Sequence, residues 1–103
     1  SEEEITALLH RLSQKDTVTS VMVLARADGA IIRVAGALAN PIETRGLVAE
    51  YAGVVWRYVR ASEEMVGGDD DLKLLRVRTR RGELVIVPEG RFILVVVHDT
   101  PGK

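Results

Sequence analysis

Apolar and polar positions alternate along this chain with two different periods. Ile5, Leu8, Leu9 and Leu12 recur at i, i+3, i+4 and i+7, the stripe of an amphipathic helix running from the N-terminus to about Leu12 or Ser13. Ser1 and Glu4 form a capping box in front of it. Val18 to Ala27 and Ala30 to Ala35 are apolar, β-branched runs separated by Asp28-Gly29, which predicts two strands joined by a tight type I′ hairpin. Asn40-Pro41 opens a second helix, with Asn40 as N-cap and Glu43 completing a capping box. Its pattern runs unbroken to Val66, where Gly67-Gly68 stops it. Leu47, Tyr51, Val55, Tyr58 and Val59 mark its core stripe, widened by Val48, Ala52, Trp56 and Met65 or Val66.

Three further strands follow as an antiparallel meander. Leu72 to Arg80 places Leu75, Val77 and Thr79 on one face and Arg76, Arg78 and Arg80 on the other. Glu83 to Val87 is closed by Pro88. The stretch Arg91 to His98 then carries six consecutive apolar residues, Phe92 to Val97. Side chains in a strand point alternately to opposite faces, so an unbroken apolar run requires cover on both. This last strand is therefore central, with the fourth strand beside it and the arginine-bearing third at one edge. The first hairpin fills the other side, its more apolar first strand inward. The expected fold is α+β: a five-stranded antiparallel sheet of order 2-1-5-4-3, with a long crossover helix on one face and a short N-terminal helix on the other.

One edge is defended by arginines; the second strand offers Ile31, Ile32 and Val34 with only Arg33 as a deterrent. Twofold pairing along that edge gives a ten-stranded sheet and brings two long helices together. Gly46 and Gly53, seven apart, permit a close backbone approach there or are tolerated surface positions. The expected dimer interface comprises Ile31, Ile32, Arg33, Val34, Gly46, Ala49, Glu50, Gly53 and Arg57. No further helix follows His98, so apolar sheet surface is expected to stay open beside Ile5, Leu8, Leu9 and Leu12, which become the expected partner-binding residues.

Composition narrows the rest. The 103 residues read as a single domain, 1–103, with a net charge of −1 that argues for neither nucleic acid nor an anionic membrane as partner. With no cysteine there is no disulfide framework and no thiolate metal site. No spanning segment or signal peptide is visible, so the expectation is a cytoplasmic protein without membrane insertion. Asp69-Asp70-Asp71 lacks the alternating spacing and distal glutamate of a calcium loop and reads as a solvated turn. The arginine row has no aromatic platform to make it a nucleic-acid stripe. His10 and His98 stand alone, and no nucleophile, metal cluster or phosphate loop accompanies them, so no enzyme, cofactor or metal is expected.

The motifs together resemble a known family. The helix, the strand-Asp28-Gly29-strand unit, Asn40-Pro41 before a long helix, Asp71-Leu72-x-x-Leu75-Arg76-Val77-Arg78-Thr79, Glu83-Leu84-Val85-Ile86-Val87-Pro88 and the apolar last strand are similar to the roadblock-type dynein light chains. The likeness spans almost the whole chain, with Met65 to Asp71 longer than in animal members. It implies a non-catalytic subunit of cytoplasmic dynein on microtubules, a homodimer or a heterodimer with a paralogous light chain, gripping a segment of the dynein intermediate chain. The alternative it carries is a roadblock-fold scaffold or regulator of a small GTPase, since the wider superfamily includes bacterial and lysosomal members with that role.

Overall fold

The computed structural model describes residues 2–13, 17–80 and 82–99, with the side chains of 2, 5, 8, 9, 12, 13 and 43 outside the description. Ser1 is not among the described residues, nor therefore is its capping box with Glu4. The elements are α1 (Glu2–Ser13), β1 (Val18–Ala25), β2 (Ile31–Gly36), a 3₁₀ turn (Ala37–Ala39), α2 (Pro41–Thr44), α3 (Val48–Val66), β3 (Leu75–Arg78), β4 (Gly82–Glu89) and β5 (Phe92–Asp99). The five strands form one antiparallel sheet of order β2-β1-β5-β4-β3, the order expected from the apolar pattern.

Register fixes what each face presents, because directly paired residues share a face. One face carries Met22, Leu24, Ile86, Ile93 and Val95, packed against Ala52, Val55 and Val59 of α3; all are essentially buried. The other carries Val21, Val23, Leu94 and Val96, also buried, with α1 lying against β1. Thus β5 is enclosed above and below, as its composition demands. Ser20, the buried polar side chain of the core, accepts a hydrogen bond from the Leu38 N–H at 3.0 Å, so its hydroxyl is not stranded in apolar surroundings.

Four local expectations are corrected. The long helix is interrupted: α2 ends at Thr44, Arg45 and Gly46 both have positive φ (54° and 79°), and α3 starts at Val48. Gly46 is therefore a turn residue set by its backbone angle, not a helical neighbour of Gly53. Asn40 does cap α2, its Oδ1 accepting from the Ile42 N–H at 2.9 Å. The hairpin after β1 is not a two-residue turn: residues 26–30 form a wider loop in which the Gly29 N–H donates to the Ala25 carbonyl and the Ala30 N–H to Asp28 Oδ1. The loop lies directly against an indole. A Cβ on Gly29 would lie 2.7 Å from Trp56 Cγ. The third strand is trimmed to Leu75–Arg78, although its alternation holds, with Leu75 and Val77 toward the core. Finally, Leu47 and Tyr58 are not core residues; they are 55% and 43% exposed, and Met65 is 82% exposed.

The Gly29 position gives a direct stability test. Gly29→Ala combines a left-handed backbone (φ 79°) with a clash against Trp56. Destabilisation of about 2–5 kcal/mol is expected, from roughly 1–2 for the backbone and 1–3 for overpacking. Urea unfolding checks it, and Trp56→Leu in the same chain should recover part of the loss by removing the overpacking.

Candidate functional site: the surfaces of α3 and the β2 edge

The setting of α3 is fixed at one end of the sheet. Arg26, at the end of β1, donates through Nη2 and Nε to Glu63 Oε2 at 2.7 and 3.2 Å and through Nη1 to the Gly90 carbonyl at 3.2 Å. Its backbone N–H donates to the Arg91 carbonyl, and its own carbonyl accepts from Trp56 Nε1 at 2.9 Å. The Arg60 guanidinium stacks over the Trp56 ring, 5.5 Å from its centroid. Two chain segments far apart in sequence are thereby tied to one helix. The ion pair is part-buried (35% and 23% side-chain exposure), and the fork geometry of arginine lets one side chain hold both helix and turn.

This tie sets which flanks of α3 face outward. Ala49, Gly53 and Trp56 follow at i, i+4 and i+7, and Trp56 reaches the β1–β2 loop, so this flank looks toward the β2 side of the sheet. Of the residues expected in the interface, Ala49, Glu50 and Arg57 are exposed and Gly53 is half-buried. A Cβ at Gly53 would meet only Arg57 Nη1, at 3.7 Å, so no packing within the chain requires glycine there. On β2, Ile31 and Val34 are half-buried and pack on the core, while Ile32 and Arg33 are exposed. Three residues apart, Ile31 and Val34 share a face because the ladder slips between Val23 and Leu24 and leaves Ile32 as an extra residue. Gly46 sits in the α2–α3 turn. For the expected partner residues Ile5, Leu8, Leu9 and Leu12, the structure places the α1 backbone, and their side chains lie outside the described residues. Beside that backbone Leu94 and Val96 of the central strand are each 8% exposed, while Val85 and Val87 of β4 on the same face stay part-exposed.

Sequence reasoning missed the other flank of α3. Leu47, Tyr51, Val54, Tyr58, Ala61 and Met65 succeed one another at spacings 4-3-4-3-4, the repeat that presents a seam to another helix. Tyr51 is held inward against the core, where burial, and secondarily the neighbouring Tyr58, push its phenol up to about 12. The rest of the seam is wholly or partly open to solvent. Ile42 of α2, 83% exposed, adds to the apolar surface this chain displays. The repeat was legible, but it was read as the core stripe because both share apolar residues at three- and four-residue steps.

The sequence profile of the Roadblock/LC7 domain matches residues 4–98. The chain belongs to the Roadblock/LC7 family. That family is non-catalytic, and no group of three or more His, Cys, Asp or Glu among the described residues could hold a metal ion. Solved structures with the same fold include a Roadblock/LC7 domain from Streptomyces avermitilis (19% identity, TM-score 0.70, covering 87% of this chain and 73% of that one). Myxococcus xanthus MglB matches at 20% identity and TM-score 0.71, covering 94% and 76%. An MglB in a tetrameric arrangement matches at 19% and 0.71, covering 94% and 71%. No curated protein matches the sequence. Among the described residues, no helix is long and apolar enough to cross a membrane.

Tyr51 supplies a pH test of this packing. Its folded pKa of about 12 lies above the ordinary 10, so the neutral phenol is favoured by folding. The contribution is complete below pH 10 and is lost as pH rises from 10 through 12. Tyr51→Phe should flatten the fall in stability over that range, read by urea unfolding at stepped alkaline pH.

Proposed function

We propose that this protein is a non-catalytic scaffold that regulates a small GTPase, acting as a homodimer joined along β2 and along the neighbouring flank of α3. The exposed 4-3-4-3-4 seam of α3 carries the reading: it offers a helix-shaped apolar surface with no covering partner among the described residues. The bacterial branch of the family resemblance, which regulates or tethers small GTPases, supports it, as does fold likeness to MglB proteins. The more specific role implied by the resemblance, a dynein light chain gripping the intermediate chain, draws no support from these relatives.

Self-association rests on three features of the chain. The β2 edge presents Ile32 and Arg33 outward, Gly53 is a glycine that no internal packing needs, and Glu50 and Arg57 flank it one helical turn to either side. Neither Glu50 nor Arg57 forms an ion pair among the described residues. In two α3 helices packed antiparallel about a twofold near Gly53, Glu50 of one faces Arg57 of the other, twice per dimer. One MglB relative is itself described as tetrameric, which fits a fold that associates with copies of itself.

The dimer reading predicts that Arg57→Glu weakens association about tenfold, from roughly 1–2 kcal/mol over two lost pairs, while the double change Glu50→Arg/Arg57→Glu restores it. Sedimentation across a concentration series measures both; a monomer at all micromolar concentrations rejects the dimer. For the function, immobilised protein should capture a small GTPase from lysate of the source cell. Tyr58→Glu and Met65→Glu should each cut that capture at least tenfold without changing the dimer mass. Recovery of dynein intermediate chain in place of a GTPase would overturn the proposal.

A further inference from the structure

The outer edge of β3 is open, and the ladder shows which backbone groups it offers. Among the described residues, no strand lies beyond β3. The Thr79 N–H donates to the Gly82 carbonyl at 2.8 Å, continuing the ladder that pairs Arg78 with Glu83 and Val77 with Leu84. Antiparallel ladders alternate between hydrogen-bonded and non-hydrogen-bonded pairs, so Thr79, Val77 and Leu75 turn their N–H and C=O groups to β4. Arg76 and Arg78 turn theirs outward. Those groups form a short template that fits an extended backbone.

Side chains restrict which strand can pair there. Arg76 and Arg78 lie on one face, both exposed, while Leu75 and Val77 lie on the other, part-buried against the core. Two copies meeting at this edge about a twofold set arginine against arginine, which disfavours self-pairing. A strand from another protein meets the same two arginines in its adjacent row. Glu83, whose Oε2 lies 3.1 Å from Arg76 Nε, belongs to β4, so an added strand stands two strand spacings from it, roughly 10 Å. Carboxylates opposite Arg76 and Arg78, with apolar side chains opposite Leu75 and Val77, satisfy both faces at once. We propose that β3 is a strand-addition site for an extended partner segment in which acidic and apolar residues alternate. The site is separate from the β2 edge and uses no residue of the α3 seam, so it does not rest on the GTPase reading.

The test follows amide hydrogen exchange in the intact protein. Without a ligand, the Arg76 and Arg78 amides are expected to exchange faster than those of Val77 and Thr79, which β4 holds. Three synthetic peptides are then compared: one alternating glutamate and valine, one with lysine in place of glutamate, and the glutamate peptide N-methylated along its pairing edge. The glutamate peptide should slow exchange at Arg76 and Arg78 and bind about tenfold more tightly than the lysine peptide. N-methylation removes backbone donors but keeps the charges, and should abolish binding. Arg78→Glu, a change at an exposed side chain, should erase the preference for the glutamate peptide. Equal affinity for the two charged peptides, an unchanged preference in Arg78→Glu, undiminished binding of the N-methylated peptide, or protection at Ile31 to Val34 in place of Arg76 and Arg78 would each overturn the proposal.

Discussion

Everything in this domain follows from the need to enclose β5. An apolar strand with alternating side chains cannot be satisfied by one layer, and here both sets are buried: Ile93 and Val95 under α3, Leu94 and Val96 on the α1 side. The backbone of β5 demands pairing on both sides as well, and β1 and β4 supply it over nearly its whole length. With those two neighbours fixed, β2 and β3 are left as edges, and the two edges differ in chemistry. Arginines line β3, while β2 turns an isoleucine and a single arginine outward. The asymmetry of the molecule is thus a consequence of which strand had to be central.

The second determinant is rotational. Ala52, Val55 and Val59 seat α3 on the sheet through apolar contact, which is non-directional and leaves the helix freedom to turn about its axis. The Arg26–Glu63 pair and the Trp56–Arg26 hydrogen bond remove that freedom. They direct Ala49 and Gly53 toward the β2 side and leave Leu47, Tyr58 and Met65 outward. The direction in which each flank of α3 points therefore depends on polar contacts of Trp56 and Glu63 at one end of the sheet.

Strand order was legible because it depends on a coarse property, how continuously apolar each run is, and every run ranked correctly. The β2 edge and the arginine edge were legible for the same reason. What escaped reading was set by tertiary contact. Asp28-Gly29 has the chemistry of a tight turn, yet the chain forms a wider loop packed on the Trp56 indole. Gly46 fits a helix period but belongs to a break where Arg45 also adopts positive φ, a conformation that residue type does not announce. The slip that makes Ile32 an extra residue brings Ile31 and Val34 to one face, which strict alternation forbids. The α3 seam was visible as a repeat, but repeats do not say which face points inward. Only Trp56 and Glu63, acting through a distant arginine, decide that.

The central place of the last strand has a kinetic corollary. β1 and β5 are joined by pairs such as Val18 with His98, so the inner ladder closes a loop spanning most of the chain. Until β5 arrives, β1 pairs only with β2, and β4 only with β3; two separate hairpins exist, each with an unsatisfied inner edge. Neither hairpin is a stable unit alone, so the ordered domain forms only once β5 has joined β1 and β4. Before that closure the apolar β5 has no partner edge, which makes it the segment of this domain most open to aggregation.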